Sequence, residues 1–547
     1  MANYKTLLIV LFFLFFGFSA NAQNRYAIHY RYKPQEMFSL DNPAGYLTIS
    51  SIERRLRQRI TLDSLDLPVS EKYIKSIIPL VDQVLYHSKW LNASVVIANE
   101  ENLEKIQSLD FVSSVEFVAR GFVPEGRQLQ AVNARSGMKA NKKKNASTAE
   151  APFDFQNGLL GIQEMHELGY TGKGITIAIF DAGFPGVDQI PAFSHLFENN
   201  QIIGTRDFVH VWNKNVFSKN QHGTNVLSLM ASNDPDLLVA GAPDAHYILC
   251  ITEEVPTEFR IEEYNWIKAA EYADSLGVDI INSSLGYWDF DDPGMDYSLE
   301  DMDGETAVIS KGATIAANKG ILVVTSAGNY GNRGERSITA PSDAKGILSV
   351  GATNMGMDRA SFSSQGPTAD GRIKPEVSTF GEQVWLIRST GNLGRSSGTS
   401  FSAPQIAAFA AGLWQARPEW TKEKLIEEIL KSSSQAEDPD NWLGYGIPNF
   451  AKAYYGPVLG GITVEEQEWK IYPNPLKGSE LFIQFGNSEQ GEFALLDLKG
   501  RVMKQASLSR GSLRDPFEVE IPELPSGIYI VEVQSGSDIK RTKLMKW

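Results

Sequence analysis

The chain has one cysteine among 547 residues, so it cannot form a disulfide bond within itself. Acidic residues number 66 against 51 lysines and arginines, and the net charge of −15 argues against nucleic acid as a partner. Neither a His-Glu-x-x-His pattern nor paired cysteines occur, so the usual zinc signatures are absent. With 42% hydrophobic residues, the composition is that of a globular protein.

Residues 1–22 predict a secretory signal peptide. Lys5 precedes an apolar run from Leu7 to Phe18, and Ala-Asn-Ala at 20–22 is typical of a cleavage site. That run is too short to span a bilayer comfortably, and no later stretch reaches membrane-spanning length. We therefore expect an exported protein. Cys250, within the apolar strand predicted over Tyr247–Ile251, is expected to be a buried core residue.

A serine begins the most apolar helix that the sequence predicts. Gly-Thr-Ser-Phe-Ser-Ala-Pro at 398–404 leads into the apolar run Gln405–Trp414, so Ser400 falls in the first turn of a buried helix. Unpaired N–H groups at that helix end favour developing negative charge, which suits a nucleophile in acyl transfer. The heptapeptide alone could also be an ordinary helix N-cap.

Two other segments supply the partners that such a nucleophile needs. Asp181 follows the apolar stretch Ile175–Phe180, which predicts a buried parallel strand with a carboxylate at the ligand-binding edge of the sheet. His222 opens a segment whose apolar residues recur at helical spacing. The chain order Asp181, His222, Ser400 is that of subtilisin among three unrelated orders of the catalytic triad.

The segment from about Phe153 to about Tyr455 resembles the subtilases, the subtilisin-like serine peptidases. Besides the three residues above, these stretches match the family in order: Gly241–Ala245, Ile281–Gly286, Val323–Asn329, Phe362–Pro367 and Asp370–Glu376. The resemblance implies an α/β fold with a parallel sheet flanked by helices. The alternation of predicted strands and helices over 153–456 favours the same architecture.

The resemblance also implies roles for individual residues. Ser400 would be the nucleophile, His222 the base and then the acid, and Asp181 the group that orients the imidazole. The Asn329 amide and the Ser400 N–H would bind the oxyanion. Two walls of the primary specificity pocket would pair with extended substrate: Ser284, Leu285 and Gly286 form one, and Ser326, Ala327 and Gly328 the other.

Two positions depart from the family's commonest pattern. Ala182 stands where Ser or Thr usually follows the aspartate, and Asn225 stands where a second histidine usually follows His-Gly-Thr. Neither is a triad member, so we expect altered fine-tuning and not lost chemistry; an inactive homologue is the alternative. The chemistry requires no cofactor. Structural calcium is common in the family, but the sequence shows no ligand loop for it.

The flanks predict further domains. Residues 23–120 predict a small α+β domain, with strands at Tyr26–Tyr32, Val81–His87, Ala93–Ala98 and Phe111–Val118 and helices near Ser51–Ile60 and at Glu100–Ser108. It resembles the propeptides of exported subtilases, a permanent structural domain being the alternative. Residues 121–152 predict a flexible linker, in which the lysine cluster at 139–144 is either a solvated charge run or a processing site. The peptidase domain is expected over 153–456, followed by a Gly- and Pro-containing linker over 457–468.

Residues 469–547 predict a small β-sandwich. The entry Ile471–Pro475, the turn Leu524–Tyr529 and the basic end near Lys540–Lys546 resemble the C-terminal sorting domain of the type IX secretion system. This implies passage across a Gram-negative outer membrane, followed by release or surface attachment, with the secretion machinery as a partner. A carbohydrate- or protein-binding β-module is the alternative.

The sequence therefore predicts a secreted serine endopeptidase that acts on proteins or peptides and on its own propeptide. A narrow processing peptidase and a surface binding protein on a peptidase scaffold are the rival hypotheses. An α/β-hydrolase esterase fits less well, since residues 398–402 lack the second glycine of the nucleophile elbow.

Overall fold

The computed structural model describes residues 24–121, 153–456, 470–484, 489–497, 500–511, 516–535 and 538–546. The chain divides into two compact units, one ending at Pro457 and the other beginning at Val458. The predicted signal peptide at 1–22, the lysine cluster at 139–144 and the linker at 457–468 lie outside the described residues. Among the described residues, no helix combines the length and the apolar character that a membrane crossing requires.

The N-terminal domain is a four-stranded antiparallel sheet in the order β2-β3-β1-β4 with three helices. The elements are β1 Arg25–Tyr30, α1 Ile49–Arg57, α2 Glu71–Ile77, β2 Gln83–Ser88, β3 Ala93–Ile97, α3 Glu100–Gln107 and β4 Val112–Ala119. Capping side chains begin two helices, since Thr48 accepts from the Ser51 N–H and Asn99 from the Asn102 N–H. The sequence predicted all of these elements except α2.

The second domain is built on a seven-stranded parallel sheet in the order β13-β12-β11-β10-β5-β9-β6. Its strands are β5 Thr176–Asp181, β6 Ile202–Asp207, β9 His246–Ile251, β10 Ile280–Ser283, β11 Leu322–Ser326, β12 Leu348–Thr353 and β13 Val377–Phe380. Two short hairpins accompany it: β7 Asn233–Asp234 with β8 Leu238–Val239, and β14 Val384–Ile387 with β15 Leu393–Ser396. Because all seven strands are parallel, their carboxyl ends meet at one edge.

Helices cover both faces of this sheet. The α-helices are α4 Asp154–Leu160, α5 Ile162–Glu167, α6 Ser194–Glu198, α7 His222–Ala231, α8 Ile261–Leu276, α9 Val308–Asn318, α10 Thr399–Ala416, α11 Lys422–Ser432 and α12 Phe450–Tyr455. Short 3-10 turns lie at Pro43–Gly45, Ile78–Leu80, Pro191–Phe193, Pro293–Met295, Leu299–Asp301 and Gly331–Arg333. The predicted α/β fold with helices on both faces is confirmed.

The alternation of side chains along β5 divides the core into two layers. Ile177 and Ile179 pack with α7 and α10, whereas Ala178 and Phe180 pack with α8 and α9. Cys250 lies in the second layer, fully buried and free, as the sequence predicts. Burial raises the pKa of its thiol, so the residue behaves as a small apolar side chain.

The N-terminal domain packs on the α8 side of the second domain. Apolar residues of its sheet, such as Trp90 and Val118, belong to the same core layer as α8 and α9. Glu271 of α8 accepts hydrogen bonds from the Trp90 N–H at 2.9 Å and from the Ser88 hydroxyl at 2.5 Å. The interface therefore combines apolar burial with polar contacts at the same helix.

Buried charges hold the same interface together. Asp274 near the end of α8 is fully buried, and its carboxylate lies 2.5 Å from Arg54, 2.9 Å from Arg55 and 3.1 Å from Lys89. Burial alone would raise the pKa of Asp274, but Lys89 and the two arginines hold it far below the usual range. Both arginines are themselves at most 2% exposed, so this carboxylate is needed to balance their charge.

We predict that Asp274→Ala lowers the free energy of unfolding of the full-length chain by about 3–5 kcal/mol, because it leaves two buried guanidinium groups without their shared carboxylate. Urea unfolding followed by fluorescence measures the loss. Asp63→Ala is the control: Asp63 also pairs across the interface, with Lys319, but it is 53% exposed, so its loss should cost less than about 1 kcal/mol. Equal, small losses in both variants would contradict the prediction.

The C-terminal unit consists of two antiparallel sheets, β16-β17-β20 and β19-β18-β21-β22. The strands are β16 Lys470–Tyr472, β17 Glu480–Gln484, β18 Gln490–Leu496, β19 Val502–Ser509, β20 Phe517–Glu520, β21 Gly527–Ser535 and β22 Asp538–Lys546. Buried residues of both sheets, including Ile483 and Phe517 from one and Leu495 and Val531 from the other, form one core. The predicted small β-sandwich is confirmed.

Candidate active site

The strand register brings three segments to one level at the carboxyl edge of the sheet. Ser283 of β10 lies beside Phe180 of β5 on one side and Thr325 of β11 on the other. The next residues along each strand are therefore Asp181, Ser284 and Ser326. The fold thus places the carboxylate that the sequence predicted next to both predicted walls of the specificity pocket.

Two helices on one face of the sheet add the other predicted groups. His222 is the first residue of α7, and Ser400 is the second residue of α10. The two helices pack against each other in the same core layer. The imidazole ring of His222 lies 5.5 Å, between ring centroids, from the ring of Phe401, the residue that follows the serine.

Asp181 and His222 form a two-point hydrogen bond. The imidazole Nδ1 lies 2.9 Å from each carboxylate oxygen of Asp181. The carboxylate is fully buried, whereas the imidazole is 30% exposed, so the opposite side of the ring faces the cleft. Burial alone would lower the pKa of His222, but the Asp181 carboxylate and the more remote Glu253 outweigh it and raise that pKa.

Ser400 and Ser284 exchange hydrogen bonds. The Ser400 hydroxyl donates to the Ser284 carbonyl at 3.1 Å, and the Ser284 hydroxyl donates to the Ser400 carbonyl at 2.8 Å. The second bond has a clear cause: Pro404, four residues on, has no N–H to give to that carbonyl. Among the described residues, the structure gives the Ser400 hydroxyl this partner and no hydrogen bond to His222.

Asn329 stands exposed in the turn after β11. Its Oδ1 accepts from the Thr399 N–H at 3.0 Å and from the Thr399 hydroxyl at 3.1 Å, which fixes the orientation of the amide. The Nδ2 end lies near Gly398, where a Cβ would come within 3.8 Å of it. Gly398 has φ +155°, a conformation that only glycine adopts readily, and this lets the chain enter α10 beside that amide.

The two predicted walls lie side by side, since they follow the paired strands β10 and β11. The Ser326 hydroxyl donates to the Leu285 carbonyl at 3.1 Å and so ties one wall to the other. Ala327 is fully buried beneath this surface. The structure therefore brings all the predicted site residues to one edge of the sheet.

A carboxylate that the sequence analysis missed lies beside this group. The Thr252 N–H donates to the Asp181 carbonyl, so Glu253 follows directly at the same edge. Glu253 accepts hydrogen bonds from the Tyr287 and Thr252 hydroxyls and from Glu262. Burial, and then the charge of Glu253, raise the pKa of Glu262 well above its usual value, and burial also raises the pKa of Glu253.

Known families match three parts of the chain. A profile of the subtilase family matches residues 172–446, which is half of the chain, and the chain belongs to that family. A profile described as the peptidase S8 propeptide domain of Bacteroidota matches residues 25–134. A third, described as a secretion system C-terminal sorting domain, matches residues 470–546.

The chain is also similar to individual known proteins. Subtilisin of Bacillus pumilus is 29% identical over 291 residues, covering 53% of this chain and 94% of that protein. Subtilisin E of Bacillus subtilis is 30% identical over 293 residues, covering 53% and 68%. The crystal structure of MycP1 from Mycobacterium smegmatis is 21% identical with a TM-score of 0.45, covering 59% of this chain and 91% of that one.

The predicted class is therefore confirmed: this is a serine endopeptidase of the subtilase family with a propeptide domain and a sorting domain that indicates export across the outer membrane. Subtilases commonly bind structural calcium. Within the part of the chain that the structure describes, no group of three or more His, Cys, Asp or Glu side chains is placed to hold a metal ion.

We predict that Glu253→Gln lowers the pKa of His222, because the imidazolium loses a nearby negative charge. The ring then becomes neutral at lower pH. Selective labelling of the histidine rings and an NMR titration of the full-length chain measure the change. Glu427→Gln, on the exposed side of α11, is the control and should leave the titration unmoved. An unchanged or raised pKa in Glu253→Gln would refute the assignment.

Proposed function

We propose that Asp181, His222 and Ser400 form the catalytic triad of this peptidase. The observation that carries the proposal is the two-point hydrogen bond from His222 Nδ1 to the buried Asp181 carboxylate, directly beside the first turn of the helix that bears Ser400. With Nδ1 donating to Asp181, the second ring nitrogen, Nε2, is the one left to accept a proton.

The proposed reaction begins with a rotation of the Ser400 hydroxyl from the Ser284 carbonyl toward His222. Its Oγ attacks the scissile carbonyl carbon while His222 Nε2 takes the hydroxyl proton. His222 then gives this proton to the leaving amine, which departs as the acyl-enzyme forms. Water, activated by the same imidazole, hydrolyses the acyl-enzyme and restores the serine. Asp181 stabilises the imidazolium at both stages.

Asn329 and the Ser400 backbone N–H are the proposed oxyanion donors. Thr399 holds the Oδ1 end of the amide, which leaves the Nδ2 protons for a ligand. The Ser400 N–H belongs to the first turn of α10, where N–H groups have no helical acceptor. Both donors are fixed before substrate arrives, which is the condition under which such groups stabilise a transition state most.

The substrates that fit this edge are extended protein or peptide chains. Their backbone would lie between Ser284-Leu285-Gly286 and Ser326-Ala327-Gly328, pairing with both as an added strand. The glycines suit this task because a ligand backbone must approach them closely.

We further propose that the N-terminal domain, residues 23–120, is a propeptide that occupies the cleft until it is removed. Arg25 links its end to the site: its guanidinium donates to the Arg120 carbonyl at 2.9 Å and pairs with the buried Glu254 at 2.8 Å. Glu254 adjoins Glu253 at the edge of the sheet that holds the site. The chain therefore leaves this domain where substrate would enter.

The remaining boundaries are proposals of the same kind. We propose that residues 1–22 are a signal peptide, 121–152 and 457–468 linkers, 153–456 the peptidase domain and 469–547 the sorting domain. The sorting domain would bind the outer-membrane secretion machinery, which then releases the protein or leaves it attached to the cell surface.

We predict that Ser400→Ala abolishes both casein cleavage and propeptide removal in the full-length exported protein, because no other group can form the acyl-enzyme. Mass spectrometry of the secreted product reads out both mature ends. Ser402→Ala, in the same helix, is the control: its hydroxyl donates to the Thr379 and Phe380 carbonyls on the buried side of the helix, so cleavage should persist. Unaltered cleavage and processing in Ser400→Ala would favour a peptidase fold used only as a scaffold.

We predict that Asn329→Ala lowers kcat by about 10²–10³ with little change in KM, because the lost amide acts on the oxyanion of the transition state. This range is the one known for loss of the oxyanion donor in subtilisin. Steady-state kinetics on one peptide substrate separate the two parameters. Asn392→Ala removes an exposed asparagine amide in the β14–β15 turn and should leave both unchanged. A loss confined to KM would show that Asn329 binds the ground state and does not act on the oxyanion.

A further inference from the structure

One segment pairs with both walls of the proposed specificity pocket. The Thr339 N–H donates to the Ala327 carbonyl at 3.1 Å. Ala340, the next residue, exchanges backbone hydrogen bonds of 2.8 and 3.1 Å with Tyr287, which directly follows the other wall. The segment thus crosses from one wall to the other, with Thr339 at the crossing.

The Thr339 side chain fills the space between the walls. A Cβ built on Gly286 would lie 2.2 Å from Thr339 Oγ1, and one built on Gly328 would lie 2.8 Å from the same atom. Both glycines are the last residues of their walls, and both therefore face the threonine in direct contact. Any side chain that enters between them meets Thr339 first.

The threonine hydroxyl is an unusual group to find in this place. Thr339 is 0% exposed, and its Oγ1 has no hydrogen-bond partner among the described residues. The Thr339 side chain is therefore part of the packed interior beneath the two walls, and the volume that it fills is closed to solvent.

The walls are also held at a fixed separation. Besides the bond between Ser326 and Leu285, the Arg333 guanidinium lies 5.0 Å from the Trp288 ring and 4.5 Å from the Tyr330 ring. Trp288 and Tyr330 follow the two walls, and Asp289 holds Arg333 at 2.7 Å. This bridge opposes any widening of the pocket that a large side chain would require.

We propose that Thr339 is the floor of the primary specificity pocket and restricts cleavage to bonds that follow a small residue, namely glycine, alanine or serine. The inference rests on the proposed function, since it requires that these walls bind substrate. A leucine or phenylalanine side chain would need the volume that Thr339 occupies. Glycine, alanine and serine place at most two heavy atoms beyond Cα, so they need far less of that volume.

The test uses the full-length exported protein and three peptides that differ only in the residue before the scissile bond: alanine, leucine or phenylalanine. The wild-type chain is expected to cleave the alanine peptide with at least about tenfold higher kcat/KM than the phenylalanine peptide. Thr339→Gly should raise the phenylalanine-to-alanine ratio about 100-fold, since it removes the floor, and Thr339→Ala should raise it less.

Thr339→Val is the matched control, because valine keeps the volume and loses only the hydroxyl. It should retain the preference for alanine over phenylalanine. Since the readout is a ratio within each variant, a general loss of activity does not alter it, and Thr339→Ala serves if the glycine variant fails to fold. A wild-type preference for phenylalanine, or a ratio that none of these variants changes, would overturn the inference.

Labelling with a fluorophosphonate probe separates this inference from the proposed function. If Ser400 is labelled and the peptides are cleaved without a preference for small residues, the pocket floor is wrong and the triad stands. If the processed wild-type chain neither reacts with the probe nor cleaves casein, the triad itself is wrong.

Discussion

The site depends on one buried charge, the carboxylate of Asp181. It sits at the end of a central strand with no exposure to solvent, so its charge must be balanced by groups that the fold supplies. The Ala182 N–H, at 2.7 Å, and His222 Nδ1 do this. Satisfying the carboxylate thereby fixes the imidazole ring, its tautomer and its raised pKa. The proposed proton transfer from Ser400 requires a His222 ring that is held in one orientation.

A second constraint acts at the start of α10. The helix is buried along nearly its whole length, so its first turn cannot rely on water. Pro404 removes the donor for the Ser400 carbonyl, and the Ser284 hydroxyl replaces it. One wall of the pocket is thus tied to the backbone of the serine. Substrate binding and the position of the proposed nucleophile are consequently linked through a single side chain.

The sequence was sufficient to predict what local pattern determines. The apolar strand before Asp181, the helical spacing after His222 and the small-residue turn before Ser400 each indicate an element and its end, and chain order then suggested the triad. Contacts between residues far apart in the chain leave no such local pattern in the sequence. Glu253 became part of the site through strand register and Thr339 through a segment that crosses two strands. Ser284 was predicted as a pocket wall, but its bond to the Ser400 carbonyl was not. The sequence analysis missed helix α2 because its apolar residues show no clear helical periodicity. Of its seven residues, Tyr73 and Ile77 are buried.

The two faces of the seven-stranded sheet carry different parts of the molecule. The α7–α10 face carries His222 and Ser400, whereas the α8–α9 face carries the N-terminal domain through Asp274 and Glu271. At the carboxyl edge the N-terminal domain also approaches the site, where Arg25 pairs with Glu254 beside Glu253. The contacts named on the α8–α9 face are non-covalent, and each joins residues outside the linker. Separation of the domains must therefore expose Asp274 and its arginines to water, and the energy of that step lies far from the reacting atoms.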